Sequence, residues 1–206
     1  MDPKQITEQI QSFLNTCSGL EMQRDYVGIS QLGQCARKIY FDFVYGIQAD
    51  DQAHSMAYAG YLFERDVIGR LEKMKIYRHD SLRELIAPWD MRFKGHIDGE
   101  TTWGDLLEVK SASVLKFQRI AATQAAPREH YVQVQIYMHY GGYKHAWIVY
   151  VCRETLQHVV LRVDYSPNMA VQLEERGKLI LATIDRREPP VCECGRCRRT
   201  NGKPPR

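Results

Sequence analysis

The sequence predicts an α/β fold, a mixed β-sheet flanked by helices, on three observations. Its first third has helical patterning, residues 82–111 fall into short apolar and polar alternations, and two β-rich apolar runs, AWIVYVC and HVVLRV, lie between helical segments. Residues 3–16 have helical composition. Residues 30–45 follow Ser30, a plausible N-cap, with Leu32, Ile39 and Phe43 available for a core face. A helix over about 53–75 can bury Tyr61, Ile68 and Leu71 while Glu64, Arg65 and Glu72 take other faces.

The segments LRELIA, MRFKGHID and DLLEVKSA, separated by Pro88 and the polar turn GETTWG, read as a β-meander. Helices are expected at 113–122 and at 127–140, the latter opening with Pro127 in its first turn. The two apolar runs suit strands buried on both faces, and Ser166-Pro167 opens a last helix to about 185. No repeat, low-complexity linker or internal boundary interrupts this order, and 206 residues suit one domain with a tail at 186–206.

The composition is that of a globular chain, 44% hydrophobic and 26% charged. No stretch has the length of a membrane span, and the start MDPKQITEQI lacks the apolar block of a secretory signal, so a cytoplasmic location is expected. The net charge of +3 is concentrated at the end, where residues 186–206 hold seven Arg or Lys against two Glu. Such a tail could follow phosphates or be a solvated end. Six cysteines stand at 17, 35, 152, 192, 194 and 197, and the crowding of the last three, without an export signal, suggests a metal site more than disulfides.

Glu108 and Lys110 lie two apart in the third strand of the meander, so their side chains share a face. Asp98 ends the preceding strand, and a hairpin through 99–104 folds it back beside Glu108. Two carboxylates then converge with one lysine, the set that metal-assisted phosphodiester hydrolysis uses: carboxylates for magnesium or manganese, and a cation near the attacking water. The triplet by itself reads equally as a surface ion pair. Its setting among Leu106, Leu107 and Val109 argues otherwise, because a carboxylate at a buried edge needs a partner or a metal.

Four features in order resemble the PD-(D/E)XK nuclease superfamily, and within it the RecB-like branch that includes CRISPR-adaptation iron–sulfur nucleases and phage exonucleases. They are Gly60-Tyr-Leu-Phe-Glu64, Gly95-His-Ile-Asp98-Gly, Glu108-Val109-Lys110 and Gln133-Val-Gln-Ile-Tyr137. The resemblance implies a restriction-endonuclease-like core. It also implies a catalytic Asp98, Glu108 and Lys110, with Glu64, Asp98, Glu108 and the Val109 carbonyl holding the metal. Gln133 and Tyr137, which share a helix face at their spacing of four, would contact DNA. His96 is read as a packed strand histidine outside the site.

The stretch around Cys35, with Arg37 and Tyr40 after it, is similar to the N-terminal helix of the iron–sulfur members of this branch. With Cys192, Cys194 and Cys197 it would complete a four-thiolate set for a 4Fe-4S cluster joining the N- and C-terminal segments. Cys-x-Cys-x-x-Cys is tighter than the spacing usual there, and four thiolates also suit zinc. The tail, being hydrophilic, is expected to dock mainly through that metal, while Cys17 and Cys152 read as small packing residues. The implied activity is a metal-dependent deoxyribonuclease, an exonuclease of end processing, recombination or spacer processing, with DNA and a recombination or CRISPR-adaptation protein as partners. The alternatives are a silent DNA-binding module or a structure-specific endonuclease of the same fold.

Overall fold

The computed structural model describes residues 4–8, 25–46, 51–78, 81 and 83–195. Residues 4–8 are helical, and the remainder of the helix expected at 3–16 lies outside the described residues, as do Cys17 and Cys197. The elements that follow are β1 (Val27–Gly28), a 3-10 turn (Ile29–Gln31), α1 (Ala36–Tyr45), α2 (Asp51–Lys73), β2 (Glu84–Ile86), β3 (Phe93–His96), β4 (Gly99–Glu100), β5 (Leu106–Ala112), α3 (Val114–Thr123), α4 (Arg128–Gly141), β6 (His145–Cys152), β7 (His158–Asp164) and α5 (Pro167–Arg186).

The strands form two sheets, ordered β1-β3-β2 and β4-β5-β6-β7. The larger is mixed: β5 runs parallel to β6, and β4 and β7 pair antiparallel at its edges. A parallel pair needs a long crossover, and α3 with α4 supplies it. One face of the β5–β6 pair, through Leu106, Ala112, Ile148 and Tyr150, joins a core with Ile29, Leu32, Phe93, Ile136, Tyr137, Leu173 and Ile180. The other face, through Leu107, Val109 and Val149, packs on Val67, Ile68 and Leu71 of α2 and on Tyr77. Helices therefore cover both faces, which is why β6 reads as a nearly continuous apolar run.

Several expectations are corrected. Ser30 does not cap a helix: residues 29–31 make a 3-10 turn, and α1 starts after Cys35, whose extended backbone occupies the N-cap. Tyr61 is half exposed, because Val67 and Ile68 place the buried stripe of α2 on another side. The meander is broken between β3 and β4 into two sheets, and Pro127 precedes α4 as its N-cap. Strand β7 is buried on one face only, since it is an edge strand with Leu161 and Val163 inward and His158, Val160, Arg162 and Asp164 exposed. Among the described residues no helix is long and apolar enough to cross a membrane.

Candidate active site

The break in the meander creates the site. Strand β4 pairs with Leu106 and Leu107 alone, and among the described residues no strand neighbours that edge of β5 beyond them. Asp98 fills that notch with its side chain: the Val109 N–H donates to Asp98 Oδ2 at 2.6 Å. The turn out of β3 demands glycine at position 99, with φ near +154° and a Cβ that would lie 2.2 Å from the Tyr77 ring. The Tyr77 hydroxyl in turn donates to the Asp98 carbonyl at 3.4 Å, so the turn is held from both sides.

Glu108 is fully buried. Its Oε1 accepts from the Lys110 ammonium and, at 2.7 Å, from the Gln133 side-chain amide on α4. Its Oε2 is buried with no hydrogen-bond partner among the described residues. An orphaned carboxylate oxygen costs free energy unless something else meets it. Glu64 approaches from α2, whose Gly60 lies against Ser111 of β5, and it is close enough to Asp98 and Lys110 to feel both charges.

The site is electrostatically crowded. Burial, then the charge of Asp98, pushes Glu108 up to about 8, with Lys110 pulling the other way. Burial and Asp98 likewise push Glu64 up to about 7, and burial raises Asp98 against the pull of Lys110 and the Val109 N–H. Burial works against the Lys110 ammonium, yet Glu108, Asp98 and Glu64 outweigh it and hold its pKa above the ordinary lysine value. One ammonium thus faces three carboxylates, an excess of negative charge that a cation relieves. Among the described residues these three do not gather within 4.8 Å as the thiols below do; Lys110 is their shared neighbour.

The structure brings together Glu64, Asp98, Glu108, Val109, Lys110, Gln133 and Tyr137. Gln133 and Tyr137 are buried beneath the carboxylates, at 5% and 2% exposure. Tyr137 lies under Gly95, where a Cβ would come within 2.7 Å of its hydroxyl. His96 is exposed beside Glu84 at 3.7 Å, not packed. Sequence reasoning missed Tyr77 and His130. His130 donates or accepts at the Tyr150 hydroxyl at 3.0 Å, and burial followed by Lys110 and Lys116 drives its pKa down to about 3, so the imidazole is neutral. Its place three residues before Gln133 on α4 was the available signal; Tyr77 gave none.

A second cluster joins the ends of the fold. The sulfur atoms of Cys35, Cys192 and Cys194 lie within 4.8 Å of one another, and those of Cys192 and Cys194 are 3.6 Å apart. Burial raises the Cys35 thiol, but backbone N–H groups of Glu193, Arg37, Lys38 and Cys194 outweigh it and set its pKa below the ordinary value. The tail is also held without sulfur. Arg176 of α5 donates to the Leu32 and Gln34 carbonyls and to both Glu193 carboxylate oxygens, and Arg37 donates to the Pro190 carbonyl at 3.0 Å. Polar contacts therefore hold the tail in addition to whatever the cysteine cluster binds. Cys152 is buried in β6, as expected of a packing residue.

No family model matches the sequence, and no curated protein matches it. Solved structures do. The alkaline exonuclease of Laribacter hongkongensis superposes with a TM-score of 0.63 at 17% identity, over 80% of this chain and 90% of its own. Its complex with dAMP gives 0.65 at 16% identity over the same shares. A protein known as SSO0001 gives 0.54 at 16% identity, over 83% of this chain and 86% of its own. At such identities the likeness is one of architecture, and the chain has the fold of this alkaline exonuclease.

Proposed function

We propose that the protein is a magnesium- or manganese-dependent deoxyribonuclease of the RecB-like PD-(D/E)XK kind, acting as an exonuclease on DNA ends. The observation that carries this reading is Glu108, buried beside Asp98, with one oxygen fastened by Lys110 and Gln133 and the other without a partner. A surface ion pair would have neither the burial nor the orphaned oxygen. The fold shared with an alkaline exonuclease supports the same reading.

The donor chemistry and the orphaned oxygen suit a divalent cation: Glu108 Oε2, the Asp98 carboxylate, Glu64 and the Val109 carbonyl would hold it once drawn closer than their present spacing. The N–H and C=O of a strand residue project to the same side, so that carbonyl faces the edge where Asp98 accepts from the Val109 N–H. When bound, such an ion supplies Lewis-acid polarisation of the phosphoryl oxygen and a water that ionises near neutral pH. Gln133 fixes the orientation of Glu108 and leaves Oε2 as the ligand atom. Lys110 spends one N–H on Glu108 and stays partly exposed, so its remaining N–H groups are available to the attacking water and to the charge developing on the phosphate. Glu108→Gln and Lys110→Ala should each abolish Mn²⁺-dependent cleavage of end-labelled linear DNA while keeping the circular dichroism of the parent. Cleavage by Lys110→Ala at the parental rate would refute the assignment.

The tail cluster is proposed as a four-thiolate metal centre completed by Cys197, structural and remote from hydrolysis. The resemblance assigns it a 4Fe-4S cluster. The 3.6 Å sulfur separation is near the edge of about 3.8 Å of a tetrahedron with Zn–S bonds of about 2.3 Å, which keeps zinc as the alternative. Anaerobic purification with metal and sulfide analysis separates four irons with four sulfides from one zinc, and Cys35→Ser should lose either. Wild-type protein carrying neither metal would refute the centre.

A further inference from the structure

A groove of about 710 Å³ lies beside the candidate active site, between one face of α3 and the turn that opens α4. Leu115, Lys116, Arg119 and Ile120 form its α3 wall, at spacings that put them on one side of a helix. Arg128 and Glu129 close it from the α4 side. Ile120 is a buried floor, while Leu115 is 77% exposed at the rim. Lys116 pairs with Glu129 at 3.1 Å. Arg119 and Arg128 have no ion pair among the described residues, although Arg128 also feels the charge of Glu193, so the groove lining itself sets three cations against one carboxylate.

The groove follows the site along the chain. Strand β5 carries Glu108 and Lys110, ends at Ala112, and passes through Ser113 directly into α3. Behind the other wall His130, two residues after Arg128, is half-buried in the field of both Lys110 and Lys116. A chain bearing one negative charge per residue, leaving Lys110 along the carboxyl end of β5, meets these guanidinium groups next. Cations above an apolar floor match phosphates outside and sugars and bases inside.

We propose that this groove binds the sugar–phosphate backbone of a single DNA strand running to or from the cleavage site, with Arg119 and Arg128 each contacting a phosphate. The proposal rests on the nuclease reading of the site. Its test is the affinity of the full-length protein for a fluorescein-labelled single-stranded oligonucleotide, read by anisotropy in chelator over a series of salt concentrations. Arg119→Gln with Arg128→Gln should weaken binding about tenfold and lower the slope of log affinity against log salt by about 1.4, two contacts at about 0.7 each for a single strand. Both side chains are exposed, so the fold should survive, and unchanged thermal unfolding checks this. The same change of charge at Arg70 and Lys178, on other elements, should leave affinity within about twofold.

Parental affinity and salt slope in the groove variant would overturn the proposal. So would an equal loss in the control pair, or no binding of the oligonucleotide by the parent at low salt. Glu108→Gln measured in parallel keeps the two readings apart: it should bind like the parent and not cut. If it cuts, the nuclease assignment of Glu108 fails, whatever the groove variant shows.

Discussion

Replacing Glu108 by Gln should remove a pH dependence of stability along with activity. The substitution keeps the shape and an oxygen to accept from Lys110 and Gln133, and takes away the charge. In the metal-free native state burial and Asp98 hold the Glu108 pKa up to about 8, whereas an unfolded chain ionises near the ordinary glutamate value of about 4.3. A raised native pKa means that the folded protein keeps a proton the unfolded chain has lost. The stability is therefore fully present below the unfolded value and is lost as pH rises through about 8. The loss has a ceiling of about 1.4 kcal/mol per pH unit, or about 4 kcal/mol from pH 5 to pH 8. Glu64, pushed up to about 7 but partly exposed, adds in the same direction and less. Urea unfolding in chelator, followed by circular dichroism at each pH with a constant m-value, gives the slope for parent and variant. The parent should destabilise towards pH 8 and recover on adding Mn²⁺, which binds the ionised carboxylates. The variant should be flatter and unresponsive to Mn²⁺. Equal slopes in the two proteins would refute the account of Glu108 as a buried, charge-crowded ligand.

Gly95→Ala should cost about 1–3 kcal/mol and lower cleavage, because its Cβ would lie 2.7 Å from the Tyr137 hydroxyl and 3.2 Å from Ile29 Cβ, displacing the layer that supports Gln133; unchanged unfolding temperature and rate would contradict this. Arg176→Met should leave the catalytic site intact and expose the segment after Arg187 to protease, with a stability loss of about 2 kcal/mol for the lost charged hydrogen bonds. An unaltered digestion pattern would show that the polar latch does not hold the tail. Closed circular DNA, single- or double-stranded, should survive conditions that degrade linear forms, and rapid cutting of circles would replace the exonuclease reading with an endonuclease one.

The helices and the central strands were legible because each carries its own periodicity. The 3.6-residue pattern located α3, α4 and α5 to within one or two residues, and Ser166-Pro167 marked the start of the last. The expectations that failed depend on neighbours. Nothing local distinguishes HVVLRV from AWIVYVC, yet β6 lies between β5 and β7 while β7 is an edge. Tyr61 is as good a core candidate as Ile68 by composition, and only the direction in which α2 meets Leu107 and Val109 decides between them. Strand β1 is two residues long, and a parallel pairing with β3 across more than sixty positions has no sequence pattern of its own.

The site divides in the same way. Glu108 and Lys110 could be paired from their spacing, since period two is a property of any strand, and the hairpin brought Asp98 within reach. The contact that Gln133 makes could not be foreseen so easily. On a helix the spacing of four says that Gln133 and Tyr137 face the same way, and says nothing about what they face. Because α4 packs on the very face of β5 that carries Glu108, the amide meets a carboxylate before it can meet a phosphate. That contact changes the chemistry expected of the motif. A glutamine presented to DNA would contribute affinity, and its loss would raise the concentration of substrate required. A glutamine fastened to one oxygen of a buried carboxylate fixes which oxygen remains for a cation, and its loss would lower turnover and metal affinity together. The buried geometry favours the second role, and it explains why Tyr137, the other member of the pair, sits under Gly95 as a rigid floor to the same carboxylates.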